Sequence, residues 1–210
     1  MLTDQDSYTS GYWLYNDREQ RAARSATSNN AAFCRLAVKA VGAKAMMEMT
    51  KINESLNRVF FVCFDAGYEA IARFPMPLVG PPHFFTASKV ATIDFLRRQL
   101  AFPIPRVLTW SSRAKSTDVG AEFILMEIAP GCLLSAVWEG LPSFERAEFA
   151  TALGKLECKL LDLSFIHYGS QYYKSDVPAS LRAPTLLEGL SPDDGLNSEF
   201  CIGPIARRDF

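Results

Sequence analysis

The chain has 210 residues, 49% of them hydrophobic, enough for one or two small domains that remove roughly 70% of the unfolded surface from water. Its 22 lysines and arginines stand against 23 acidic residues, so the basic field that gathers nucleic acid is missing and no nucleic-acid partner is expected. The longest apolar run, residues 59–64, is far short of the ~18 residues a membrane span needs.

Asp4 and Asp6 stand where a leader wants positive charge, with Arg18, Arg21 and Arg24 just inside, so the start displays no clear organellar address. Cys34, Cys63, Cys132, Cys158 and Cys201 are odd in number, widely spaced and without a Cys-x-x-Cys pair, which reads as reduced intracellular thiols. Residues 1–28 are polar and serine-rich with Tyr8, Tyr12, Trp13 and Tyr15 interleaved, the composition of an arm laid against a folded surface. Phe33, Leu36, Ala37, Ala40 and Val41 then fall on one helix face, with Asn29 or Asn30 as N-cap and Gly42 as the stop.

Three strand-like runs follow, at about 44–51, 58–64 and 68–74, the last two joined by Asp65-Ala66-Gly67. From Val59 to Phe64 the middle run is apolar on both alternating faces, so both should be covered. Pro75, Pro77, Pro81 and Pro82 force an extended loop before Thr86 or Ser88 caps a helix running to about Leu100. Pro103-Ile-Pro105 ends that helix, and strands near 106–110 and 120–127 complete a five-stranded antiparallel sheet with one helix inserted after its third strand. After Pro130-Gly131, Ser143 caps a long helix to about Leu163 whose stripe of Phe149, Leu153, Leu156, Leu160 and Leu163 needs an apolar surface to pack on. The remaining 45 or so residues read as loop.

That order of elements, α+β with five antiparallel strands and one inserted helix, is the small lobe of the protein kinase-like fold. It sets the expected division: an arm at 1–28, a small lobe at 29–129, and a hinge with the incomplete start of a helical large lobe at 130–210. The segments Asn57-Arg-Val-Phe60, Ile71-Ala-Arg73-Phe-Pro75, Gly80-Pro-Pro-His83, Ala91-Thr-Ile-Asp-Phe-Leu96, Pro103-Ile-Pro105, Ala121-Glu-Phe-Ile-Leu-Met-Glu127 and Phe200-Cys-Ile-Gly-Pro204 occur in an order that resembles a fungal branch of the aminoglycoside phosphotransferase-like family. The resemblance runs from about Tyr8 to Pro204. It implies a kinase-like fold, ATP and magnesium as cofactors, phosphotransfer by the complete protein, and a mitochondrial location with the cytoplasm as the alternative.

Carried over by the resemblance, the turn Asn53-Glu-Ser-Leu-Asn57 is the nucleotide-positioning loop, with Ser55 and Asn57 as its donors. It contains no glycine, whereas close backbone approach to phosphate is easiest without side chains. Arg73 takes the place of the third-strand base that holds phosphates. Met126 is the gatekeeper, the Glu127 carbonyl and Ala129 N–H meet the adenine edge, and the Glu127 side chain is a solvated strand end.

Lys89, Ile93, Leu96 and Leu100 form a helix stripe read as facing the sheet, which turns Lys89 toward Arg73 where kinase-like folds want a glutamate. Two such cations at 4 Å repel by about 4 kcal/mol at an effective dielectric near 20, unless an anion sits between them. His83 and His167 are the only histidines, and neither begins a His-x-Asp; both read as structural or surface residues. Asp209-Phe210 looks like the start of the metal-binding Asp-Phe-Gly but has no glycine after it. No catalytic or metal-binding residue is identified, so the chain as given is expected to bind nucleotide without transferring phosphate. A non-catalytic, pseudokinase-like interaction module, with a protein partner or the rest of the large lobe on the helix at 144–163, is the alternative.

Overall fold

A computed structural model of the chain describes residues 11–25, 27–54, 56–65, 67–163, 165, 167–184 and 199–207, with the side chains of residues 53 and 54 excepted. It is an α+β protein. Helices α1 (Asp17–Arg24) and α2 (Asn30–Val41) precede strands β1 (Met46–Glu54), β2 (Asn57–Phe64) and β3 (Glu69–Pro75). Helix α3 (Phe84–Gln99) leads to β4 (Val107–Ser111) and β5 (Phe123–Glu127), followed by a single turn, α4 (Leu134–Val137), and the long α5 (Ser143–Leu161). The five strands form one antiparallel sheet in the order β1-β2-β3-β5-β4, with α3 inserted between β3 and β4. Strands β6 (Ser170–Tyr173) and β7 (Phe200–Gly203) pair as a separate antiparallel ribbon.

Sheet register decides which residues share a face. One face carries Phe60, Val62, Phe64, Ala70, Ala72, Phe74, Phe123 and Leu125, all buried, and α2 closes it with Phe33 and Ala37. Asn29 caps α2 by accepting the Ala32 N–H at 3.1 Å, and Gly42 ends it at φ 75, a left-handed conformation that glycine adopts without a Cβ clash. The Phe33 ring meets Phe74 at 5.0 Å and Phe123 at 5.3 Å, both edge to face. Truncating so enclosed a ring costs about 3–5 kcal/mol.

The opposite face carries Asn57, Val59, Phe61, Ile71, Arg73, Pro75, Ile124 and Met126, which cross-strand pairing sets side by side. On β2 this face is only half-buried, where the apolar sequence led us to expect full cover on both sides. Helix α3 lies over its β4 and β5 end, where Trp110 and Phe84 pack against Ala87.

Four further readings change. Within the described part of the arm, α1 forms and buries none of its residues; Arg21 lies over Tyr12 at 4.6 Å and Arg24 over Trp13 at 4.3 Å, Tyr12 and Tyr15 are exposed, and Tyr8 lies outside the described residues. Helix α3 begins at Phe84 because Pro81 and Pro82 preset the entry and the Glu122 carboxylate holds the His83 N–H at 2.7 Å; neither Thr86 nor Ser88 caps it. Its fully buried stripe is Ala87, Ala91 and Phe95, while Lys89, Ile93, Leu96 and Leu100 are half-buried. The cause is the ribbon β6–β7, in a segment read as loop: Tyr172 packs on Ala87, and Phe200 packs on Ala91 and Phe95. Helix α5 starts at Ser143 without a side-chain cap, and no residue of it is buried.

Candidate functional site

Arg73 sits in the third strand on the half-open sheet face, and its Nε is buried with no hydrogen-bond partner among the described residues. Lys89, on the second turn of α3, directs its ammonium over the Phe85 ring at 4.9 Å from the centroid. Burial pushes the Lys89 ammonium below the ordinary lysine range, and the positive charge of Arg73 pushes it further the same way. Among the described residues neither Arg73 nor Lys89 makes an ion pair.

The other sequence-derived positions lie along the same sheet. Asn57 opens β2 on the Arg73 face, opposite Pro75, whereas Ser55 lies outside the described residues. Met126 is buried and paired with Ile71 on one side and Val107 on the other. The Glu127 side chain is not a loose strand end: its carboxylate accepts the Arg106 N–H at 3.0 Å and Nε–H at 3.1 Å, while its own N–H donates to the Arg106 carbonyl at 2.9 Å. It pins the start of β4 to the end of β5. Ala129 is exposed just past that end, and Gly131 breaks the chain direction at φ 100.

A cavity of about 360 Å³ adjoins this region, lined by the proline loop (Pro75, Pro77, Pro81, Pro82), Phe85 and Glu122. Pro75 is the next residue along the Arg73 face, and Phe85 is one helical turn before Lys89, so the cavity is walled by a neighbour of each cation while neither cation lines it. A shallower hollow of about 720 Å³ lies beside α3, between Ser88, Thr92, His167, Tyr168 and Gln171. Among the described residues no three His, Cys, Asp or Glu side chains come together, so none forms a ligand set for a divalent cation. Asp209 and Phe210 lie outside the described residues.

Two polar nodes went unread in the sequence. The His83 ring bridges the Ser112 hydroxyl and the Asp176 carbonyl, each at 2.7 Å, tying the start of α3 to the β4–β5 connection and to the turn after β6. His83 holds φ 69, a costly conformation for a residue with a Cβ, sustained by these bonds. At the other end of α3, the Tyr173 hydroxyl donates to Asp94, which with Glu199 grips Arg98. Partners so distant in sequence leave no periodic signal.

The fold and these positions can be compared with known proteins. A subtelomeric hrmA-associated cluster protein of Aspergillus fumigatus is 37% identical over 164 residues, 78% of this chain and 30% of that protein. The altered inheritance of mitochondria protein 9, mitochondrial, of Candida tropicalis is 32% identical over 162 residues, 73% of this chain and 26% of that protein. The protein of the same name from Komagataella phaffii is 29% identical over 174 residues. The chain is similar to this group of fungal proteins. It spans less than a third of the length of these curated relatives. No family model matches the chain, and no solved structure does.

Proposed function

We propose that the chain is the nucleotide-binding lobe of an aminoglycoside phosphotransferase-like protein with a kinase-like fold. It takes ATP on the open face of its sheet, the adenine edge against the backbone of Glu127 and Ala129 beside Met126, and the phosphates toward Asn57 and Arg73. The observation that carries this reading is the register: one half-open sheet face gathers Asn57, Arg73 and Met126, and the buried Arg73 Nε–H, without a partner among the described residues, suits an anionic ligand. Guanidinium bonds to phosphate are charge-assisted and about twice as strong as neutral ones, so Arg73 supplies a large share of the affinity.

On this reading the 210 residues bind nucleotide and are not expected to transfer phosphate, because neither His83 nor His167 begins the His-x-Asp that supplies a catalytic base. The names of the Candida and Komagataella relatives place those proteins in mitochondria, and we assign the same location to this chain. Thermal melts with and without ATP test the binding: ligand at a hundred times Kd adds about 2.7 kcal/mol of stability, and Arg73→Ala should remove most of that gain. A wild-type melt that ATP does not move overturns the reading.

A second reading, an interaction module without nucleotide, is favoured by one feature. Leu133, Phe144, Phe149, Leu153, Leu160 and Leu161 are exposed along α4 and α5. Oligomers in light scattering, together with indifference to ATP, would favour it.

A further inference from the structure

Arg73 and Lys89 are two half-buried cations whose neighbours Pro75 and Phe85 line one cavity, an unfinished electrostatic arrangement. Repulsion between them grows as water is excluded, and a buried guanidinium N–H without an acceptor forfeits its hydrogen bond besides. Nearby carboxylates do not relieve it. On α3, Asp94 is taken by Arg98 and Tyr173; ahead of β5, Glu122 receives the His83 N–H; at its end, Glu127 holds Arg106. The Phe85 ring face gives Lys89 a weak electrostatic partner and leaves its three N–H donors without an oxygen acceptor among the described residues.

We propose that Arg73 and Lys89 form a two-cation clamp for a polyphosphate, with Lys89 a second phosphate ligand in its own right. The bound anion then separates the two charges, accepts the Arg73 Nε–H, and supplies the negative charge that no carboxylate among the described residues brings. The site is open enough for entry, because both residues are half-buried and the β2 part of the same face is half-exposed. Recognition is of the phosphate chain, which a nucleoside triphosphate and a free inorganic polyphosphate share. The clamp rests on the nucleotide reading only for the adenosine end.

The test is isothermal titration calorimetry of the full chain with ATP, with inorganic tripolyphosphate and with chloride at matched ionic strength, on wild type, Lys89→Met and Lys89→Arg. Tripolyphosphate is expected to bind wild type and Lys89→Arg, and Lys89→Met is expected to weaken it roughly ten- to hundredfold, the loss of a charged hydrogen bond. Lys89→Met should also melt higher than wild type without ligand, which reports both folding and relief of the repulsion. Equal tripolyphosphate affinity in wild type and Lys89→Met, or heats no larger than those of chloride, overturns the clamp. Should ATP bind all three proteins equally, the clamp fails and the nucleotide reading survives. If tripolyphosphate binds through Lys89 as tightly as ATP does, the clamp stands and adenine recognition falls.

Discussion

Asp176 presents a residue whose environment works against its charge. Its Oδ2 is buried without a hydrogen-bond partner, and burial raises its carboxyl above the ordinary 3.8, although His83 and Arg113 pull the other way. An acid raised on folding costs stability wherever both states are ionised, which is the range above its folded pKa. That cost fades as pH falls toward 3.8, because the folded form takes up its proton first. Asp176→Asn is therefore expected to melt higher than wild type at pH 7, by an energy on the order of 1 kcal/mol, with the gain shrinking in melts toward pH 4. A variant that melts lower at pH 7 would mean the carboxylate has a partner. At this scale the sequence was legible where a period applied. Alternation along β3 places Arg73 on the half-open face with Ile71, whereas the α3 stripe through Lys89 is half-buried and His83, Ser112 and Asp176 meet through loops that no repeat describes.

Among the elements, the long periodic ones were read well and the short ones were not. Helix α2 announces itself by an asparagine cap, an apolar face and a terminal glycine; the structure places Asn29, Gly42, Phe33, Leu36, Ala37 and Val41 as read, while Ala40 is exposed and Ala32 is buried instead. The ribbon β6–β7 has four residues per strand separated by a long connection, too little alternation to tell from a loop. Missing it shifted the buried face of α3, since Tyr172 and Phe200 cover a side that the sequence left to solvent. The ribbon also depends on close backbone approach at Gly169, where a Cβ would collide with the Gly203 carbonyl oxygen and the Ile202 side chain. Gly169→Ala should destabilise the protein by roughly 1–3 kcal/mol and should open β6 and β7 to protease before the sheet. Cleavage at an unchanged rate would show that the ribbon can shift to accommodate the methyl.

For the whole molecule, two layers of helix and ribbon cover the sheet unequally, and function follows from the inequality. The α2 face is sealed with aromatic rings, while the other is closed by α3 over β4 and β5 and left half-open over β2. The alternating run in β2 gave no hint of this, because a strand apolar on both sides is written the same way whether its second face meets protein or a ligand. The measurement that tests the central claim most directly is amide hydrogen exchange of the full chain with and without ATP. Binding on the open face predicts slowed exchange in β2, β3 and residues 126–129, and no change in α2. Unchanged exchange in β3 and residues 126–129 at saturating ATP, or slowing confined to α5, would contradict it.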